Sequence, residues 1–221
     1  MREALIAVLA VGIFGAGAAN AGPAPVVSDF AAGADGWSTV NLFGLPFGVP
    51  DTKAVTVESG FISTRDTHSW NVFSAPSKFL GDKSAFAGGT LSLDLAVDLH
   101  DDGANWPVVV ITDGVTALAA QPFENPMDAF THFSFVLGAS KWKAINPFTM
   151  TLEDVSPIRF AGVLGNLQGI LVNADFKVGG DEYARLDNVV LTAAVPEPET
   201  YASFVVGLAM LGVVRRRISG I

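Results

Sequence analysis

The side chains able to do chemistry are few and scattered. The three histidines, His68, His100 and His132, lie beside polar or turn residues, and none has a second ligand at a spacing a metal uses. Acidic residues occur as direct neighbours at Asp101-Asp102, Glu153-Asp154 and Asp181-Glu182. A glycosidase also needs two carboxylates, but they must face each other across a sugar, and adjacent acids in a turn are ordinarily solvated. The chain contains no Gly-x-Ser-x-Gly, no His-Glu-x-x-His, no phosphate loop and no dinucleotide fingerprint. It has no cysteine, which removes disulfides and thiolate metal sites together. Binding is better represented than catalysis. Trp70, in His68-Ser69-Trp70-Asn71, and Trp106, in Asn105-Trp106-Pro107, stand in polar, loop-like contexts. An indole in such a place can serve as a flat apolar platform for a sugar ring; the competing reading is that each caps the core.

The rest of the composition sets the frame for these groups. The chain has 221 residues, half of them hydrophobic, enough for one well-filled domain with targeting segments. The 23 glycines and 12 prolines suit many tight turns and favour an all-β fold over a helical bundle. The formal charge is −9, and residues 22–194 alone carry nine basic against nineteen acidic side chains. That balance repels phosphate backbones and argues against nucleic acid as a partner.

Alternating segments supply the strands. Thr90 to Leu99 places Leu91, Leu93, Leu95, Val97 and Leu99 on one face and Ser92, Asp94, Ala96 and Asp98 on the other, a half-buried strand. Pro107 to Thr112 reads as a short buried strand and Thr131 to Leu137 as another alternating one. Gly169 to Val178 alternates through Ile170, Val172, Ala174, Phe176 and Val178; Gly179-Gly180-Asp181 then turns the chain, and Tyr183 to Thr192 returns, so this pair is expected as a hairpin. Ala54 to Val57 and Gly60 to Ser63 are weaker strand candidates. One helix interrupts the pattern: Ser156 caps it, Pro157 opens it, Ile158, Phe160, Ala161, Val163 and Leu164 form its apolar face, Asp154 lies near its positive end, and Gly165-Asn166 stops it. No internal repeat or low-complexity linker divides residues 28–193, so one domain is expected at 22–194.

Both ends read as targeting segments. After Met1-Arg2-Glu3, an apolar, small-residue run from Ala4 to Ala19 ends in Ala19-Asn20-Ala21, with Pro23 and Pro25 beyond. This is the layout of a secretory signal peptide at 1–21, cleaved after Ala21. At the other end, residues 195–221 begin Val195-Pro196-Glu197-Pro198, continue as an uncharged run from Tyr201 to Val214, and reach Arg215-Arg216-Arg217. The prolines make a stiff stalk. The uncharged run as a helix spans about 21 Å, short of a ~30 Å hydrocarbon core unless flanking residues extend it. The arginines hold the tail end on the cytoplasmic side. Three unlike elements in this order resemble the PEP-CTERM sorting signal. The resemblance implies recognition of Pro196, Glu197 and Pro198 by an exosortase, transient anchoring in the inner membrane, removal of the tail, and a Gram-negative host that makes exopolysaccharide.

A second resemblance covers the middle. Asp154 to Phe176 followed by Ala184-Arg185-Leu186-Asp187-Asn188-Val189-Val190-Leu191, with Gly36-Trp37, Gly89-Thr90-Leu91-Ser92-Leu93-Asp94 and Trp142 upstream in order, resembles a laminin B (domain IV) module. That implies a jelly-roll β-sandwich over roughly residues 29–192. Jelly rolls often hold a structural calcium between an early strand and the last; here Asp29 and Asp187 would be its ligands, although Ala31 stands where such sites carry a glutamate. The competing reading is that both aspartates accept turn hydrogen bonds.

The expectation is therefore an all-β, jelly-roll-like sandwich with one short helix. It would be exported to the cell surface, outer envelope or extracellular matrix, without catalytic machinery, and associated with exopolysaccharide or another surface component. The alternative is an envelope polysaccharide hydrolase or lyase.

Overall fold

The computed structural model describes residues 22–41, 52–66, 70–101, 106–146, 149 and 151–195. The expected signal peptide with Ala21, and the expected sorting tail with Pro196, Glu197, Pro198, Arg215, Arg216 and Arg217, lie outside the described residues. Among those described, no helix is long and apolar enough to cross a membrane.

In chain order the strands are β1 (Val26–Ser28), β2 (Ser38–Asn41), β3 (Lys53–Ala54), β4 (Thr56–Glu58), β5 (Phe61–Arg65), β6 (Asn71–Ser74) and β7 (Thr90–Val97). Then follow β8 (Val109–Thr112), β9 (Ala117–Ala120), β10 (Thr131–Val136), β11 (Trp142–Ile145), β12 (Leu152–Asp154), the helix α1 (Pro157–Leu164), β13 (Gly169–Asn173) and β14 (Tyr183–Thr192). They form two antiparallel sheets. The six-stranded sheet runs β10-β7-β14-β5-β4, with β1 also paired to β14; the eight-stranded sheet runs β12-β11-β9-β8-β13-β6-β2-β3. The ten-residue β14 is the hub of the first sheet: β7 lies along it, and it also pairs with β5 through Tyr183 to Leu186 and with β1 through Val189 to Leu191.

The core lies between the sheets and follows the period-two pattern. Leu91, Leu93, Leu95 and Val97 of β7 meet Ile111, Leu118, Ile170 and Val172 from the opposite sheet in one buried cluster. A second cluster, Val40, Trp70, Val72, Val110, Ala119, Ile145 and Leu171, covers the other face of the eight-stranded sheet. That explains why all five residues of β13 are buried: the strand is central and covered on both faces.

Three expectations need correction. The hairpin between residues 169–178 and 183–192 does not form, because β13 and β14 belong to opposite sheets. The strand ends at Asn173, whose side-chain oxygen accepts from the Asp175 amide at 3.2 Å while its side-chain nitrogen donates to the Asp175 carbonyl at 3.0 Å. This local pairing competes with the ladder, and the chain then crosses the end of the sandwich. The weak strand at Ala54 to Val57 is likewise split, β3 pairing with β2 and β4 with β5, with Val55 packed against the core at the crossing. Third, Leu99 falls beyond β7 and is exposed. Asp154, two residues before the helix cap Ser156, is also a strand residue of β12, ion-paired with Lys143.

The helix forms where expected. Ser156 Oγ accepts from the Arg159 amide at 3.2 Å, and Pro157 occupies the first turn. Phe160, Val163 and Leu164 are its buried residues, whereas Ile158 is 86% exposed and leaves the expected apolar face. Gly162 stands on the exposed side, and a Cβ there meets nothing within 4 Å. Gly162→Ala is expected to stabilise the protein by about 0.5–1 kcal/mol through the unfolded chain's lost freedom. Urea unfolding of both forms measures this, and a variant no more stable than the parent would contradict it.

Candidate functional site

The sequence-predicted aromatic pair lies on the covered side of the eight-stranded sheet. Trp70 is 7% exposed and its Nε1 donates to Asn173 Oδ1 at 3.0 Å. Trp106 packs edge-on against it, ring centroids 5.9 Å apart at 69°. Trp70 borders a shallow hollow lined also by Val72, Pro107, Val110, Leu171 and Asn173. Trp70 therefore has no open ring face to offer a sugar and belongs to the outer apolar layer.

The structure does bring Asp29 and Asp187 into one neighbourhood. β1 pairs with β14 up to Ser28↔Val189, so Asp29 follows directly beside the 187–188 segment. Here β14 shifts register against β7, and Asn188 adopts φ 49°. The Asn188 amide donates to Asp187 Oδ1 at 2.6 Å, its side chain donates to Asp94 Oδ2 at 2.8 Å, and Asp94 Oδ1 lies 2.7 Å from His132 Nδ1. Asp29 Oδ1 accepts from the Ala31 amide at 3.2 Å. Burial raises the Asp187 carboxyl, the Asn188 amide lowers it, and the charges of Asp94 and Asp29 raise it again. Both predicted ligands are engaged in local hydrogen bonds, and among the described residues no three acidic or histidine side chains are arranged to hold a metal.

A different constellation stands on the outer face of the six-stranded sheet. Ile62, Ala184 and Leu186 point into the core, so the alternate residues Phe61, Ser63 and Arg65 of β5 and Tyr183 and Arg185 of β14 point outward. The register aligns them: Tyr183 opposes Arg65, and Arg185 opposes Ser63. Phe130, at the start of β10, is 41% exposed and stands edge-on to Phe61 at 5.7 Å. The Arg185 guanidinium lies 5.6 Å from the Phe130 ring and 5.7 Å from the Tyr183 ring, and the Arg65 guanidinium lies 5.2 Å from the Tyr183 ring. Arg185 Nη2 donates to Asp128 Oδ1 at 2.7 Å.

Glu58 on β4 fixes the edge of this face. Its Oε1 accepts from Ser63 Oγ at 2.6 Å and from the Tyr183 hydroxyl. The Ser63 hydrogen bond, followed by the Tyr183 one, holds the Glu58 carboxyl below its ordinary value. Burial and then the Glu58 hydrogen bond push the Tyr183 hydroxyl up. An acid held ionised by two donors is suited to fixing ring orientation, the opposite of what a general acid needs. The arrangement can present apolar rings, two guanidinium groups and acceptor oxygens on one flat surface. The sequence carried a signal for it in Phe61-x-Ser63-x-Arg65 and Tyr183-x-Arg185, large groups at the solvent positions of strands where small polar ones are usual. It was obscured because which strands adjoin is a long-range property.

Comparison with known proteins gives a consistent picture of the domain. The model of the family "Laminin B (Domain IV)" matches residues 72–205, more than half of the chain. Among solved structures, the L4b domain of human laminin alpha-2 superposes with a TM-score of 0.60 at 16% sequence identity, covering 76% of this chain and 97% of that one. At that identity the likeness speaks for the sandwich fold. No curated protein matches the chain. A laminin-B-type domain points to an extracellular or surface protein whose domain is a non-catalytic structural module. With the family model spanning β6 through β14 and the fold shared beyond it, the chain belongs to the laminin B (domain IV) family.

Proposed function

We propose that this protein is an exported, exosortase-processed surface or matrix module that binds exopolysaccharide through the outer face of its six-stranded sheet. The observation that carries the reading is the aromatic–arginine surface of Phe61, Phe130, Tyr183, Arg65 and Arg185, oriented by Glu58 and Asp128. Sugar rings stack their C–H faces on aromatic rings while guanidinium and carboxylate groups bond the hydroxyls, which is the division of labour this surface offers. The Pro196-Glu197-Pro198 tail with Arg215 to Arg217 supports the route by which such a module reaches the cell exterior. The test is binding of the purified full chain to cell-surface polysaccharide from an exopolysaccharide-producing host. Phe130→Ala and Arg185→Ala should each weaken binding about tenfold, the loss of one stacked or cation–π contact, with melting temperature recorded as a check on folding. Absence of binding by the parent chain, or unchanged affinity in both folded variants, would sink the proposal.

A further inference from the structure

The outer face of the six-stranded sheet holds more charge than its two arginines, and the balance is negative. Both guanidinium groups already have an acid of their own: Arg185 has Asp128 at 2.7 Å and Arg65 has Asp181 at 3.7 Å. The same face carries Glu58, Asp94 and Asp187. Glu58 takes its hydrogen bonds from the neutral hydroxyls of Ser63 and Tyr183. Asp94 lies 2.7 Å from His132, whose side chain is 64% exposed. Among the described residues, the hydrogen bonds to the Asp187 carboxylate come from Asn188, and no lysine or arginine forms an ion pair with Glu58, Asp94 or Asp187.

Two of these acids stand together. Leu93 and Leu95 of β7 and Leu186 and Val189 of β14 point into the core, so Asp94 and Asp187 point outward, and the ladder sets them opposite each other. One amide nitrogen, Asn188 Nδ2, donates to Asp94 Oδ2 at 2.8 Å and to Asp187 Oδ2 at 3.3 Å, so both carboxylates reach the same point. Arg185 opposes Ala96, two residues along β7 from Asp94. The acid pair therefore stands one pleat period, about 7 Å, from the row that holds Arg185. The Phe130 and Tyr183 rings flank that row, so neighbouring sugars of one chain can meet the rings and the acids together.

Two carboxylates fall short of a divalent ion, which takes roughly six to eight oxygens, and among the described residues no three acidic or histidine side chains are arranged for one. They suit an ammonium group, a single charge with three donors. The aromatic rings suit the same charge, since Phe130 and Tyr183 already have guanidinium groups against them. A uronate or phosphate would instead meet Glu58, Asp94 and Asp187, with no guanidinium lacking an acid of its own to offset them. Resting on the polysaccharide reading above, we infer that this face selects a glycan that carries free amino groups, with Asp94 and Asp187 holding the ammonium while the neighbouring sugar stacks on Phe130.

The test is binding of the full chain at neutral pH to soluble glycol chitosan, to its N-acetylated form and to alginate. The first two share a backbone and differ in whether the nitrogen can carry charge; alginate carries carboxylates. The parent should bind glycol chitosan about tenfold more tightly than the N-acetylated polymer, the worth of two partly exposed charge contacts, and alginate more weakly than either. Asp94→Asn and Asp187→Asn should each cut that preference about threefold, and added salt should narrow it. Glu153→Gln removes a charge from β12 of the other sheet and should leave the preference as it is. Melting temperature checks folding, and either aspartate variant suffices if the other does not fold. Equal binding of the first two polymers, tighter binding of alginate, or an unchanged preference in a folded aspartate variant overturns the inference. An equal loss in Glu153→Gln shows attraction by net charge alone and overturns it too. Equal affinities for the amine and acetylated forms that both drop in Phe130→Ala overturn this inference and keep the polysaccharide reading. A parent that binds none of these polymers and no host polysaccharide overturns both.

Discussion

Trp142→Ala is expected to cost roughly 3–5 kcal/mol of stability, the range for deleting a large core aromatic. Trp142 is 1% exposed and sits on β11 of the eight-stranded sheet. Its indole Nε1 donates to the Val136 carbonyl of β10, in the other sheet, at 2.8 Å. Its ring stands 6.4 Å from Phe135 of β10 and 6.0 Å from Phe160 of α1. One side chain thus joins both sheets and the helix, so truncation opens a cavity at a three-way junction and strips a carbonyl of its donor. Urea unfolding with an unchanged slope would measure the loss as a fall in midpoint. Trp142→Phe separates the contributions: it retains most of the packing and loses the hydrogen bond. It should therefore sit between the parent and the alanine variant. A Trp142→Ala protein within 1 kcal/mol of the parent would mean that the junction does not hold the layers together.

The parts of this fold that were legible in the sequence are those written in local periodicity. Leu91, Leu93 and Leu95 alternate on β7, and the sheet buries them as expected. Ser156 and Pro157 mark the helix start because a cap hydrogen bond and a preset φ act over three residues. The residues resembling a laminin B module lie largely in these legible elements, which is why the family could be recognised. What was not legible depends on which distant strands adjoin. The run Ile170 to Val178 alternates like a hairpin arm, yet β13 has β6 and β8 as neighbours and is covered on both faces. Trp70 looks polar in its sequence context, but its ring closes the outer layer and its nitrogen reaches Asn173, 103 residues away. Tyr183 and Glu58 are separated by 125 residues, and only the β4–β5–β14 order makes them partners. The candidate binding face consists of such pairs: its outward residues can be seen strand by strand, but which strands adjoin cannot.

Gly89→Ala is the other substitution with a large expected effect. Gly88-Gly89 has the composition of a turn, but Gly88 alone has a positive φ, at 76°. At Gly89 the constraint is space. A Cβ there would overlap the Thr192 carbonyl oxygen and stand 2.8 and 2.9 Å from C and Cα of Ala193. These are backbone atoms at the end of β14, held by Thr90↔Thr192 pairing and by the 2.7 Å contact between their hydroxyls. Gly89 is fixed from the other side too, its amide donating to the Phe86 carbonyl and its carbonyl accepting from the Leu137 amide at 2.8 Å. No side-chain rotation relieves such an overlap, so either the end of β14 peels from β7 or the 86–89 turn distorts. A cost of at least ~2 kcal/mol is expected, toward the upper part of the range for overpacking. Because β14 is the hub of its sheet, amide exchange should rise first from Val190 to Thr192 if peeling is the route, and at Phe86 to Gly89 if the turn gives way. A Gly89→Ala protein as stable as the parent, with exchange unchanged at both places, would show that the close approach is not a constraint on the fold.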